Sequence, residues 1–285
     1  MRKPLQIKLE DLRQDQLKEL LQIVEKAFIL CGVDFYLLGA IARDTWYAKE
    51  QIDSPATRDV DFAVYISDHS KYAEVLEELI SNHGFSDIKN VPFRLQTPFN
   101  FTIDLIPFGE ISIDEAVVPD EGWDRPIFVN GFEEIFRKAT IRVKDEDDDL
   151  EFKVATLPAI LLLKLIAYDD RPEKRTQDPK DIVQIIENYF EVEKEMIWED
   201  HNDLFDEDSE LIEIGARVIG REINQIISDN RKLKERVLNI LSLEDRVQKN
   251  MVEAMVYGDL TLDEVEGWLT LIKEEIEEGE IETYP

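Results

Sequence analysis

The stretch "TRDVDFAVYI", Thr57 to Ile66, constrains this chain more than any other. Val60, Phe62, Ala63, Val64, Tyr65 and Ile66 are apolar, β-branched or aromatic, which predicts a β-strand. Asp59 and Asp61 stand at its start, two positions apart. Side chains at i and i+2 of a strand share a face, so two carboxylates meet at the mouth of an apolar strand. Like charges about 4 Å apart repel by roughly 1–4 kcal/mol at effective dielectrics between 80 and 20. Two arrangements relieve that repulsion. Either Asp59 caps a turn while Asp61 lies on a solvated strand end, or a divalent cation sits between them.

Two companion features favour the cation. Asp104, in "FTIDLIPF", is a third acid in an apolar strand, where Asp is rare and an unpaired carboxylate is costly to bury. Mg²⁺ (or Mn²⁺) takes carboxylate oxygens together with water and substrate phosphate. Two such ions can hold the attacking and leaving oxygens of a phosphoryl or nucleotidyl transfer. In "LLGAIARDTW", Gly39 separates an apolar strand from a helix, so the backbone can approach a phosphate at the helix N-terminus. Arg43 follows one turn into that helix.

Around these features the order is mixed. "LEDLRQDQLKELLQIVEKAFILCGV", from Leu9 to Val33, reads as one amphipathic helix, and "SKYAEVLEELISNHGF" as another ending at Gly84. "DFYLL", "FRLQ", "FNFTIDLIPFG", "TIRVK" and "EFKVA" read as strands, the last two joined by the acidic loop "DEDDD". From Leu157 onward the pattern is helical, beginning with "LPAILLLKLIAYDD" and "PKDIVQIIENYF" and continuing in "SELIEIGARVIGREINQIISDN", "LKERVLNILSLEDRVQKNMVEAMVYG" and "LTLDEVEGWLTLIKEEIEE". The expected class is α+β, a mixed sheet flanked by helices over residues 1–156, followed by a helical domain over 157–285.

Composition narrows the setting. The 285 residues are 44% hydrophobic, enough for a sizeable core, and Cys31 is the only cysteine, so no internal disulfide can form. No apolar leader opens the sequence, and the longest apolar run is about half a membrane span and contains Lys164. A cytoplasmic protein with no membrane partner is expected. A net charge of −31 repels nucleic acid as a whole, so RNA could approach only through a local basic patch. "DDRPEKRTQDPKD", with Arg171, Lys174, Arg175 and Lys180, is the best such patch; its other reading is a solvated loop. Lys164, the sole charge in "AILLLKLIAY", needs a partner or must snorkel to the edge of its helix. His69, His83 and His201 are scattered and read as surface or core residues.

"LLGAIARD", "ATRDVDFAVYI", "TIDLIPFG", "GFEEIF" and "ATLPAILLLKLIAYDDRPEKRTQDPKDIVQI" together resemble the nucleotidyltransferase fold of the DNA polymerase β superfamily. Within it they are similar to the AbiEii/AbiGii type, bacterial proteins that include toxins of toxin–antitoxin and phage-defence systems. The resemblance implies that Asp59, Asp61 and Asp104 bind magnesium, with Asp104 the base for an acceptor hydroxyl. It also implies a nucleoside triphosphate held by Gly39, Ala40, Arg43, Arg58, Lys164, Arg171, Lys180 and Asp181. The acceptor it implies is a tRNA 3′ end or a protein side chain, under control of a cognate antitoxin. Where many members carry Gly-Ser or Gly-Gly this chain has Gly39-Ala40, and Gln184 stands where a further Asp is common. Two alternatives remain open: a small-molecule, antibiotic-type nucleotidyltransferase, to which the acidic charge would draw cationic acceptors, and a nucleotide-binding module without turnover.

Overall fold

The structure is a computed structural model that describes residues 4–12, 16–89, 91–119, 126–206 and 209–278. The chain divides into two compact units, Met1–Thr156 and Leu157–Pro285. In the first, the strands are β1 (Leu5–Ile7), β2 (Phe35–Leu38), β3 (Asp59–Tyr65), β4 (Ser86–Asp87), β5 (Arg94–Gln96), β6 (Thr102–Phe108), β7 (Ala116–Val117), β8 (Ile127–Phe128), β9 (Thr140–Asp145) and β10 (Glu151–Ala155). Its helices are α1 (Leu17–Cys31), α2 (Gly39–Lys49), α3 (His69–His83) and α4 (Phe132–Lys138). Among the described residues, eight strands form one sheet in the order β1-β9-β10-β2-β3-β6-β5-β4, while β7 and β8 pair separately. The sheet is mixed: β1 with β9, β10 with β2 and β3 with β6 run parallel, and the remaining neighbours antiparallel.

Alternation along β3 and β6 separates a core face from a polar one. Val60, Phe62, Ile103 and Leu105 are fully buried, whereas Asp61 and Asp104 are half-buried. Phe62 meets Phe28 of α1 edge to face, with ring centroids 6.1 Å apart. Burying an aromatic side chain of this size contributes about 1.5–3 kcal/mol, so this side anchors the sheet. The odd-numbered residues of β3 point the other way. There Tyr65 stacks on Phe136 of α4, and Asp61 lies against Gly39 at the start of α2.

Local chemistry ends the helices. Gly32 and Gly84, in the left-handed region at φ 66° and 73°, close α1 and α3. Asp68 caps α3 by accepting the Lys71 N–H at 2.9 Å. The single helix expected from Leu9 is instead a 3₁₀ turn, Leu9–Leu12, followed by α1, because Gln16 adopts φ 68° just before Leu17. Residues 13–15 of that expectation lie outside the described residues.

The second unit contains α5 (Leu157–Asp170), α6 (Asp178–Asp200), α7 (Leu211–Ile227), α8 (Arg231–Ile240), α9 (Arg246–Met255) and α10 (Leu262–Glu278). α6 runs past its expected end near Phe190, bending at Glu193 where φ is −114°. The helical pattern expected from Leu233 to Gly258 is divided between α8 and α9. Leu243 takes φ 56°, and Asp245 then opens α9 in a reciprocal capping box with Gln248. α7 and α10 approach closely at Gly220, where a Cβ would stand 2.6 Å from the Ile272 carbonyl oxygen. Beside it the buried Glu275 accepts from Arg217 at 3.0 Å and Arg221 at 2.8 Å. No helix among the described residues is long and apolar enough to cross a membrane.

Candidate active site

Sheet register assembles one row of side chains. Leu38 of β2 pairs with Asp61 of β3, Asp61 with Asp104 of β6, and Asp104 with Arg94 of β5. Residues paired across adjacent strands share a face, so Asp61, Asp104 and Arg94 stand side by side. Asp59 lies two residues earlier on that face, opposite Thr102, and is exposed. Its N–H donates to the Thr57 hydroxyl at 3.1 Å, which shapes the entry to β3. The sequence expectation that Asp59 and Asp61 share a face agrees with this register, and Asp104 joins them from the neighbouring parallel strand.

Arg94 binds Asp104 in a bidentate clasp. Its Nε donates to Oδ1 at 2.6 Å and its Nη2 to Oδ2 at 2.5 Å. Both side chains stay partly open to solvent, at 35% and 21% exposure. The guanidinium is held above its ordinary range by those hydrogen bonds against the opposing effect of burial, and the charges of Asp104, Asp59 and Asp61 add to the rise. Arg94 therefore sits in the field of all three carboxylates. Sequence reading missed this residue. Its signal was an arginine in a short strand ten positions before a lone strand aspartate, a spacing that becomes a contact only through the β5–β6 register.

Gly39 meets Asp61 at the mouth of the row. It adopts φ +68° at the first position of α2, and a Cβ there would lie 2.1 Å from Asp61 Oδ2. Glycine is required twice over, by backbone conformation and by space. The carboxylate so placed faces the partial positive charge of a helix N-terminus. Ala40 follows, half-exposed, with no polar side chain to add.

The expected nucleotide contacts divide. Arg58 is exposed beside the row, its guanidinium 5.7 Å from the centre of the Phe101 ring and Nη1 donating to the Asn100 carbonyl at 3.4 Å. Arg43 is placed differently from the expectation. It is buried, it donates from Nε and Nη2 to Asp44 Oδ1 at 3.1 and 2.9 Å, and it stacks over Tyr47. Its buried charge is balanced by the neighbouring carboxylate.

In the second unit Lys164 also differs from the expectation of a phosphate contact. Its ammonium donates to Asp178 Oδ1 at 2.9 Å and to Asp181 Oδ2 at 2.6 Å, and its side chain is 14% exposed. The lone charge of an apolar helix is thus balanced by two carboxylates at the start of α6, and Asp181 is a partner of Lys164. Asp178 Oδ2 is buried with no hydrogen-bond partner among the described residues. Lys174, Arg175 and Lys180 are exposed and Arg171 half-buried, and none of the four belongs to a described ion pair.

A divalent cation fits the donor set of the first unit in kind, since Asp59, Asp61 and Asp104 offer hard carboxylate oxygens on one sheet face. Arg94 already stands there as a positive charge among them. As the side chains lie, no three His, Cys, Asp or Glu among the described residues enclose an ion, and both oxygens of Asp104 are engaged by Arg94. A cavity of about 570 Å³ opens elsewhere in this unit, against the C-terminal half of α2, with Lys8, Asp11, Asp44, Lys49, Asp53 and Glu146 in its wall. None of the three carboxylates of the row lines it.

No family model and no curated protein matches the chain. Among solved structures it is similar to the antibiotic-resistance factor ANT(2'')-Ia at 13% identity, over 56% of this chain and 76% of that one, with a TM-score of 0.34. At that level of overlap the functional reading rests on the residues themselves.

Proposed function

We propose that this chain is a divalent-metal-dependent nucleotidyltransferase, which moves a nucleoside monophosphate from a triphosphate to an acceptor hydroxyl. The carrying observation is the row on β3 and β6: Asp59, Asp61 and Asp104 on one face, with Asp61 seated at the glycine that opens α2. Three carboxylates on one sheet face beside a helix start are the hard oxygen donors that a cation for phosphate chemistry would take.

Asp59, Asp61 and Asp104 would hold the metal, which when bound supplies positive charge to phosphate oxygens. Asp104 accepts the proton of the acceptor hydroxyl. The hydroxyl oxygen bonds to the α-phosphorus, the bond from that phosphorus to the β-phosphate bridging oxygen breaks, and pyrophosphate leaves. The first N–H groups of α2 are free of helical partners by the geometry of any helix start, and with Arg58 they orient the triphosphate. Positioning and electrostatics carry the rate in such a transfer.

For the acceptor, our reading is the 3′ end of a tRNA. The four basic residues between Arg171 and Lys180 support it, because they are unpaired among the described ion pairs in a chain of net charge −31. The sequence resemblance to the AbiEii/AbiGii type extends this proposal to a toxin governed by an antitoxin. The test is pyrophosphate release with Mg²⁺, each labelled triphosphate and total tRNA, comparing wild type with Asp59→Ala/Asp61→Ala. Label entering RNA and lost in the double variant supports the whole reading. Release without labelled RNA sends the acceptor to a protein or a small cation, and nucleotide binding without release identifies a non-catalytic module.

A further inference from the structure

We propose that Arg94 is an electrostatic gate on the candidate metal site: it holds Asp104 until a triphosphate draws the guanidinium away, so that metal and nucleotide bind cooperatively. The inference rests on the nucleotidyltransferase reading and adds to it a residue that the sequence resemblance does not include.

Asp104 cannot serve a cation and Arg94 equally. Nε and Nη2 of Arg94 take one oxygen each, at 2.6 and 2.5 Å, so both carboxylate oxygens are already engaged by a positive charge. A permanent positive charge at that distance also repels a divalent cation approaching Asp61, the next residue in the row. Asp59 and Asp61 act on the same guanidinium through their charges, so its departure changes the potential at all three carboxylates.

The gate is placed to move. Arg94 belongs to the three-residue strand β5, next to the two-residue edge strand β4, and its side chain is 35% exposed. Asp104, in contrast, sits mid-strand between β3 and β5. The more exposed partner of the pair, on the shorter strand, is therefore the arginine. Guanidinium binds phosphate oxygens with the same two-pronged geometry it uses for a carboxylate. A triphosphate arriving at the start of α2 offers that alternative, and each ligand then removes an obstacle to the other.

The test is Mn²⁺ binding to the full chain without nucleotide, read by the electron paramagnetic resonance of free Mn²⁺, for wild type, Arg94→Ala, Arg94→Gln and Arg94→Ala/Asp104→Asn. Both single variants should bind Mn²⁺ about tenfold more tightly, within the range usual for coupled sites. The gain should vanish in the double variant, because it acts through Asp104. In a second measurement at saturating Mg²⁺, a fluorescent ATP analogue should bind Arg94→Ala more weakly than wild type, and Arg94→Lys should recover part of the loss. Unchanged Mn²⁺ affinity in both single variants overturns the gate, as does a gain that survives loss of Asp104. If no variant, wild type included, binds Mn²⁺ or the analogue, the nucleotidyltransferase reading itself fails. That pattern is distinct from failure of the gate alone.

Discussion

The carboxylate of Asp61 occupies the space that a side chain at Gly39 would need, with Oδ2 lying 2.1 Å from the position of a Cβ. Strand β3 and helix α2 are thereby locked together at the candidate site, and a glycine in the left-handed region is the residue that permits it. Gly39→Ala should destabilise the first unit by about 1–3 kcal/mol through backbone strain and the clash. Placed in an Asp61→Ala background, the same change should cost less, since only the φ penalty remains. Urea denaturation of the four proteins of that cycle checks both statements.

Lys164 is expected to act on stability. Replacing it with methionine removes the ammonium that Asp178 and Asp181 share, and Asp178 already carries a buried oxygen with no hydrogen-bond partner among the described residues. Breaking a buried pair on one side costs about 3–5 kcal/mol; the partial exposure of these groups puts Lys164→Met at the lower end. Equilibrium denaturation measures it, and an unchanged midpoint would return Lys164 to the role of a free phosphate ligand.

His201 should make stability fall on mild acidification. It is buried, and its Nδ1 accepts from Arg221 Nη1 at 3.4 Å, which fixes the neutral imidazole with its proton on Nε2. Burial first and the Arg221 charge second push its pKa below 6.5; Asp200, Asp203 and Glu222 oppose this. The unfolded chain then binds the proton at higher pH than the folded one. The contribution is complete above pH 6.5 and is lost as pH falls below it toward the folded value. Chemical denaturation at stepped pH should show a shallower decline for His201→Gln over that interval.

Gly220 sets the spacing of α7 and α10. A Cβ there would lie 2.6 Å from the Ile272 carbonyl oxygen and 2.8 Å from Glu275 Cβ, both on the facing helix. Gly220→Ala should therefore destabilise the second unit by about 1–3 kcal/mol although alanine is the better helix former. Thermal unfolding followed by circular dichroism distinguishes this from the stabilisation that propensity alone predicts.

Sequence legibility followed the range of each interaction. Alternation in "DVDFAVY" and "TIDLIPF" told which face each aspartate takes, because the strand period is a local property. The glycine before α2 was legible for the same reason, and so was the need of Lys164 for a partner. Which partner it takes was not, since Asp178 and Asp181 lie 14 and 17 residues away across a loop. Arg43 drew attention through nearness to Gly39 along the chain, yet its guanidinium is buried against Asp44. Arg94 escaped notice because its meaning lies in the pairing of β5 with β6. The break between α8 and α9 was signalled by Asp245 and Gln248, a capping pair hidden inside an apolar helical pattern.

The row from Leu38 to Arg94 spans four neighbouring strands, and each member is placed by the pairing of the strand before it. A slip of one residue in any of these ladders would turn the carboxylates toward the Phe28 side and the core residues outward. Metal binding by this protein would thus double as an assay of correct assembly: a misregistered chain, however compact, would present no coordinating face. The proposed activity would then come only from molecules whose strands have paired in the right order.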